Sequence, residues 1–189
     1  MKNQIKVEIK KGNKLTKKEI ETIAKANINN FITCTDLKKE LNSLKNSESK
    51  RSTFFFVKDS NKIVSLGQLI PLKIKYLGKN YNLFGISNMI SIKKGKGYGK
   101  ILVQAMKDFL IKRQKTGLGF CHKGNVKFYK KSGLIVESKL KNRFFYDYGD
   151  SKENKEAMQD FVLYYEGKDK FPTKVLKTKS LIKIPCEHW

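Results

Sequence analysis

The segment Ile90-Ser91-Ile92-Lys93-Lys94-Gly95-Lys96-Gly97-Tyr98-Gly99-Lys100-Ile101-Leu102 is the part of the chain best suited to binding chemistry. An apolar strand runs into a glycine-rich turn that opens an amphipathic helix. The successive N–H groups of such a turn, with the unpaired donors and positive dipole end of the helix, suit a phosphate or pyrophosphate. A Walker loop requires Gly-x4-Gly-Lys-Ser/Thr, which Gly95 to Lys100 does not supply. The dinucleotide fingerprint requires G-x-G-x-x-G within a parallel βαβ unit; here Gly95, Gly97 and Gly99 are spaced by two and follow what reads as an antiparallel meander. Read alone, the segment also fits a flexible Gly/Lys surface turn.

The remaining reactive side chains narrow the field. Cys34, Cys121 and Cys186 are widely separated and form no CxxC pair, so neither a disulfide framework nor a zinc site is indicated, and no metal is expected. A reducing cytoplasm suits them. The 189 residues carry 41 Lys+Arg against 17 Asp+Glu, a formal charge of +24, which invites a polyanionic partner through counterion release. All but Arg51, Arg113 and Arg143 of these cations are lysine, however, and specific phosphate and base recognition leans on the guanidinium fork. The lysines are spread along the chain, and abundant Lys, Asn, Ile and Phe together match a coding bias at low GC content. A nucleic-acid partner therefore stays open without being favoured. Met1 to Lys14 has no apolar h-region and no later stretch approaches the roughly 18 apolar residues of a membrane span, so a soluble, unexported protein is expected.

The elements that would position the glycine segment follow from periodicity. At 39% hydrophobic and 11% aromatic, the chain can close one core. Ile5, Val7 and Ile9 alternate as an opening strand, and Thr16 with Glu19 reads as a capping box for a helix through Ile20, Ile23, Ala24, Asn27, Ile28 and Phe31. A second helix is expected over Asp36 to Leu44, then a polar loop from Asn46 to Ser52. Strands follow at Thr53 to Lys58, Lys62 to Leu77 and Tyr81 to Ile92, joined by short turns that make them antiparallel. The period then changes to helical through Ile101, Leu102, Ala105, Met106, Phe109 and Leu110. A strand at Gly117 to Cys121 precedes a short helix, about Asn125 to Ser132, that ends at Gly133. Further strands are expected at Leu134 to Glu137, Asn142 to Tyr148 and Gln159 to Glu166, before a lysine-rich tail with an apolar alternation at Leu181, Ile182 and Ile184.

Two segments together resemble the GNAT superfamily of acyl-CoA-dependent N-acyltransferases. Its phosphate loop, Arg/Gln-x-x-Gly-x-Gly/Ala, is matched by Lys94-x-x-Gly97-x-Gly99, with Lys94 a conservative departure at the first position. Its later Phe-Tyr-x-x-x-Gly-Phe helix is matched by Phe128-Tyr129-x-x-x-Gly133-Leu134. The resemblance implies a mixed α+β fold: a central, mostly antiparallel sheet flanked by helices and splayed in a V between the strands at Tyr81 to Ile92 and Gly117 to Cys121. It assigns residues 1–166 to the acyltransferase domain and leaves 167–189 as a C-terminal tail, ending in a strand-like segment packed on the same domain.

The same resemblance implies acetyl-CoA as co-substrate. Its pantetheine arm would pair with the backbone of Met89, Ile90 and Ser91. Its pyrophosphate would lie on the amides of Gly95, Lys96, Gly97, Tyr98, Gly99 and Lys100, with charge from Lys93, Lys94 and Lys96. Acyl transfer to a primary amine would proceed by direct attack in a ternary complex, with Tyr129 as general acid for the departing thiolate and an N–H near Met89 to Ser91 as oxyanion donor. His122, seven residues before Tyr129, stands where many relatives bind cofactor through Asn; pantetheine contact, proton relay and a plain surface position all fit it. Relatives often carry a carboxylate base on the strand before the loop, but Asn82 to Met89 contains none. Cys121 reads as a packed strand residue, because direct attack needs no acyl carrier.

The acceptor, a small-molecule or protein amine, is not specified by these motifs. The terminal Trp189 is similar to the end of aminoglycoside 2′-N-acetyltransferases, which would give it a substrate role and would require Asp147, Asp150, Glu153, Glu156 and Glu166 to make the acceptor site acidic. An RNA-associated or CoA-binding protein of the same fold without small-molecule turnover is the further alternative.

Overall fold

The computed structural model describes residues 4–31, 34–146 and 161–184. The chain divides into two compact units: one holds the described residues up to Ile70 together with Ser87–Met106, the other Pro71–Ile86 together with those from Lys107 onward.

In the first unit, β1 (Ile5–Lys11) lies antiparallel to β2 (Thr53–Asp59), which pairs antiparallel with β3 (Lys62–Tyr76). Phe54, Phe55, Phe56 and Val57 are all buried, so β2 is covered on both faces. Phe54 and Phe56 stack at 6.5 Å between centroids. They join Ile23, Ala24, Ala26, Leu44, Leu66 and Ile90 in the core that carries the N-terminal helices.

Those helices start where side-chain caps allow. α1 (Lys17–Asn30) opens on Thr16, whose Oγ1 accepts from the Glu19 N–H at 3.3 Å while the Glu19 carboxylate accepts from the Thr16 N–H at 2.9 Å. Glu19 is buried and also receives the Lys10 ammonium at 2.6 Å. Burial opposes its charge, yet the hydrogen bonds from Lys10 and Thr16 outweigh that penalty and hold the carboxyl below the usual range. α2 (Leu37–Ser43) is capped by Asp36. The polar stretch expected as a loop instead holds a short helix, α3 (Ser47–Arg51), capped by Asn46 Oδ1 on the Ser49 N–H at 2.7 Å. The reason lies in packing: Gly12 N–H donates to Ser52 C=O at 2.9 Å, and a Cβ at Gly12 would fall 1.8 Å from Ser49 O. Backbone contact that tight anchors a helix with no apolar stripe.

β3, β4 (Lys79–Ser91) and α4 (Tyr98–Arg113) contribute residues to both units. The second unit also holds β5 (Gly117–Cys121), α5 (Val126–Lys131), β6 (Ile135–Glu137), β7 (Phe144–Tyr146), β8 (Phe161–Tyr165), α6 (Phe171–Leu176) and β9 (Ile182–Ile184). Seven strands form one sheet in the order β1-β2-β3-β4-β5-β8-β6, with β7 and β9 as a separate parallel pair. The sheet is mostly antiparallel. Its parallel step is the β4–β5 ladder, Phe84↔Gly117 and Gly85↔Leu118, after which β4 runs on to Ser91. β5 then pairs antiparallel with β8 over its full length, from Gly117↔Tyr165 to Cys121↔Phe161. A mixed sheet flanked by helices agrees with the expected fold class.

α6 occupies part of the stretch that sequence alone read as a tail. Phe171 is fully buried and packs on Tyr81 and Tyr76, with centroids at 4.9 and 5.8 Å. Asp169 accepts from Thr116 Oγ1 at 2.6 Å and from the Phe171 N–H at 2.9 Å, which starts the helix. Arg143 donates to the carbonyls of Thr178 and Ser180, each at 2.7 Å, and so holds the segment leading to β9. Among the described residues, no helix is long and apolar enough to cross a membrane.

Two substitutions test this account. Thr16→Ala removes the α1 cap and is expected to lower stability to chemical denaturation by about 1 kcal/mol. Gly119→Ala puts a Cβ 2.8 Å from the Ile86 carbonyl oxygen and is expected to cost about 1–3 kcal/mol, since neither backbone can give way freely; a neutral result in the same assay would refute the close β4–β5 approach.

Candidate functional site

The expected site residues fall in both units. In the first they are contiguous: Met89, Ile90 and Ser91 end β4, and Lys94 to Lys100 form the turn and the first residues of α4. β4 is held at its end from β3, because Ser65 Oγ donates to the Ile90 carbonyl at 2.8 Å and the Ile92 and Lys93 N–H groups both donate to the Val64 carbonyl, at 2.9 and 3.2 Å. Just before them, Asn88 takes a φ of +49° inside the strand. A left-handed residue breaks the two-residue alternation and re-aims the groups that follow, which matters for Met89 to Ser91. Sequence reasoning passed over this position. The available signal was weak: an asparagine, which tolerates that conformation, in a strand that also carries Asn80 and Asn82.

The turn has the geometry expected of an anion cradle. Gly95 and Gly97 both sit at φ +77°, where a side chain would be strained, and no atom lies within 4 Å of a Cβ built on either. The Lys100 and Ile101 N–H groups close back on the Gly97 carbonyl at 3.0 and 3.3 Å. Gly97 thus stands at the N-terminal boundary of the sixteen-residue α4, where the first N–H groups have no intrahelical acceptor. Gly67 of β3 lies beneath the helix: a Cβ there would meet Leu102, Met106 and Met89 at 3.3 Å, so the missing side chain lets α4 sit close to the sheet. Lys93, Lys94, Lys96 and Lys100 are exposed, whereas Tyr98 turns inward and is buried. Open backbone donors, a helix dipole and exposed ammonium groups make a donor set that fits a phosphate-bearing ligand.

In the second unit, Cys121 ends β5 and is buried, as expected of a packed residue. His122 follows on the surface and precedes a 3₁₀ turn, Lys123–Asn125, with its carbonyl accepting from the Asn125 N–H at 2.9 Å. α5 then carries Tyr129 inward, at 8% exposure. Gly133, at φ +81°, ends that helix, and the Leu134 N–H returns to the Tyr129 carbonyl at 3.1 Å. Burial, reinforced by the nearby Cys121 thiol, pushes the Tyr129 phenol up to about 12. The group is therefore neutral and a donor throughout the physiological range. The Phe128 ring, partly exposed, packs edge-on against it at 5.0 Å.

Trp189 and the acidic residues Asp147, Asp150, Glu153 and Glu156 lie outside the described residues. Glu166 is half-buried and reaches the Thr173 N–H at 2.9 Å, a cap on α6. Among the described residues no group of three or more His, Cys, Asp or Glu side chains could hold a metal ion.

No protein-family model matches the chain, and no curated protein matches it in sequence. Solved structures do match in fold. The chain is similar to the GNAT family N-acetyltransferase YhbS of Escherichia coli, solved in complex with CoA, at 13% identity over 96% of this chain and 89% of that one, with a TM-score of 0.58. It is similar to Escherichia coli ElaA at 10% identity over 86% of this chain and 100% of that one, TM-score 0.59. A probable N-acyltransferase from Enterococcus faecalis matches at 15% identity and TM-score 0.57 over 69% of this chain, which spans only 32% of that protein. With the strand order, the glycine turn and the Tyr129 helix in place, the chain has the fold of the GCN5-related N-acetyltransferases.

Proposed function

We propose that the protein is an acetyl-CoA-dependent N-acetyltransferase that acylates a primary amine by direct attack in a ternary complex. The observation that carries this reading is the glycine turn at the start of α4, with Gly95 and Gly97 in the left-handed region and backbone donors left open, in a fold shared with a CoA-bound relative. The amides of Gly95 to Gly99 receive the pyrophosphate, the expected Lys100 amide being taken by the Gly97 carbonyl, and the side chains of Lys93, Lys94, Lys96 and Lys100 add charge around it. Met89, Ile90 and Ser91 offer backbone groups to the pantetheine arm, and an N–H among them stabilises the oxyanion. His122 contacts the pantetheine region.

The acetyl thioester supplies the electrophilic carbonyl. The amine nitrogen attacks it, the C–S bond breaks, and the thiolate leaves as the amide loses a proton to water. Tyr129 assists at the sulfur. Its phenol, pushed up to about 12 by burial, is protonated at neutral pH and acts as general acid. It hydrogen-bonds the sulfur as charge develops there and gives up its proton as the C–S bond breaks, and the proton released by the amine restores the phenol by way of solvent.

A second reading, CoA binding without turnover, draws on one observation: Lys79–Ser91 contains no carboxylate to serve as base. The two are separated by experiment. Titration with CoA should give saturable binding, and incubation with acetyl-CoA and a panel of amines should release free thiol. Tyr129→Phe should lower kcat by about a hundredfold while leaving the Kd for CoA within about twofold. Thiol release equal to background in both proteins, with CoA still bound, would establish the second reading. The pH profile has a stated form as well. Rate should rise with deprotonation of the amine and show no falling limb from Tyr129 below about pH 11, because its raised pKa keeps the phenol protonated there.

A further inference from the structure

Tyr98 sits between Gly97 and Gly99, at the first position of α4, where its N–H is among the donors that face an anion. Its side chain goes the other way. The ring is buried, at 7% exposure, and the hydroxyl donates to Asp59 Oδ2, a partner 39 residues distant in sequence. Asp59 is itself buried and is the last residue of β2, in register with Ile5 of β1 and Lys62 of β3. Ser60 and Asn61, at φ +50° and +66°, make the tight two-residue hairpin that follows, and Ser60 Oγ donates to Asp59 Oδ1 at 3.2 Å. The carboxylate is therefore mounted on a strand paired on both sides, just past a shift in the β2–β3 register between Val57 and Lys58.

A turn with three glycines loses much conformational entropy when it orders around a ligand. An aromatic side chain inserted in its middle and tied to a fixed carboxylate limits that loss beforehand. Hydrogen bonds to ionised groups are also the stronger kind. We infer that the hydrogen bond from the Tyr98 hydroxyl to the Asp59 carboxylate sets the position of the pyrophosphate loop, so that Tyr98 and Asp59 are positioning residues that select phosphate-bearing acyl donors. The interaction also leaves its mark on both groups: the phenol of Tyr98 is raised by its bond to Asp59, and the Asp59 carboxyl is lowered by Tyr98 first, with smaller help from Ser60 and the Lys93 charge. Lys93 thereby has a local role. Its charge offsets that of a carboxylate lying behind an anion site.

This inference rests on the proposed use of acetyl-CoA, and its test separates the two. Calorimetric Kd values for CoA, and steady-state constants with acetyl-CoA and with S-acetyl-pantetheine, which lacks the pyrophosphate, would be measured for the full chain and for Tyr98→Phe, Asp59→Asn, Asp59→Ala and the Tyr98→Phe/Asp59→Ala pair. Tyr98→Phe should raise the Kd for CoA and the KM for acetyl-CoA about tenfold, the loss of one hydrogen bond to a charged group, with kcat within about twofold. Its kcat/KM for S-acetyl-pantetheine should fall by much less than that for acetyl-CoA. Asp59→Asn keeps an acceptor oxygen and should fall between wild type and Asp59→Ala, and the double variant should be no worse than the worse single one. Should Tyr98→Phe fail to fold, the Asp59→Asn comparison carries the same test. A wild-type protein that does not bind CoA overturns both the function and this inference. A wild type that binds CoA, with Tyr98→Phe binding equally well or losing both donors alike, overturns the inference alone.

Discussion

Burial of β2 on both faces is the constraint on which the first unit depends. Phe54, Phe55, Phe56 and Val57 have essentially no exposed surface, and at about 25 cal/mol per Å² the side chains of three phenylalanines outweigh any competing local preference of this segment. A strand buried on both faces cannot slip by one residue without moving its aromatics into the wrong layer. That fixes register against β1 along the strand and against β3 up to the shift between Val57 and Lys58. The β1 register carries Asp59 to the hairpin tip, where it accepts the Tyr98 hydroxyl, so one residue of the glycine turn is tied to a strand far away in sequence.

Charge acts within that frame and does not create it. The excess of lysine is mostly exposed, and exposed charges separated by more than about 10 Å are largely screened at 0.1 M salt. Where charge is organised, acidic residues do the organising. Glu19 is buried between its capping box and Lys10; Lys10 and Lys58 also contact Glu8, joining the α1 start to β1 and β2. Asp169 likewise starts α6 while accepting from Thr116. The +24 surface is thus anchored by a few carboxylates with several donors each. The four lysines around the glycine turn stay exposed, available to an anion.

Much of the architecture was legible because periodicity and caps report burial directly. The Thr16–Glu19 box, the change from two-residue to helical period after Ser91, and Gly133 as a helix terminator all correspond to local physics and recur in the structure. α3 was not legible. Its residues are polar, and its stability comes from the backbone contact at Gly12. α6 was hidden for a related reason: Phe171, Pro172 and Val175 become apolar anchors only once Tyr76 and Tyr81 present their rings.

The candidate site divides along the same line. Sequence alone determined the glycine turn at a helix start, since the spacing of Gly95, Gly97 and Gly99 before an amphipathic helix is a property of contiguous residues, and the binding chemistry proposed for it starts from that. Tyr129 was marked by the resemblance of Phe128-Tyr129-x-x-x-Gly133-Leu134 to the GNAT helix. Only the tertiary structure decided how these groups are tuned: burial beside Cys121 raises the Tyr129 phenol, a left-handed Asn88 re-aims the end of β4, and a β2 carboxylate takes hold of Tyr98. Desolvation and long-range hydrogen bonds depend on residues brought together from far apart in the chain, and no local pattern encodes them.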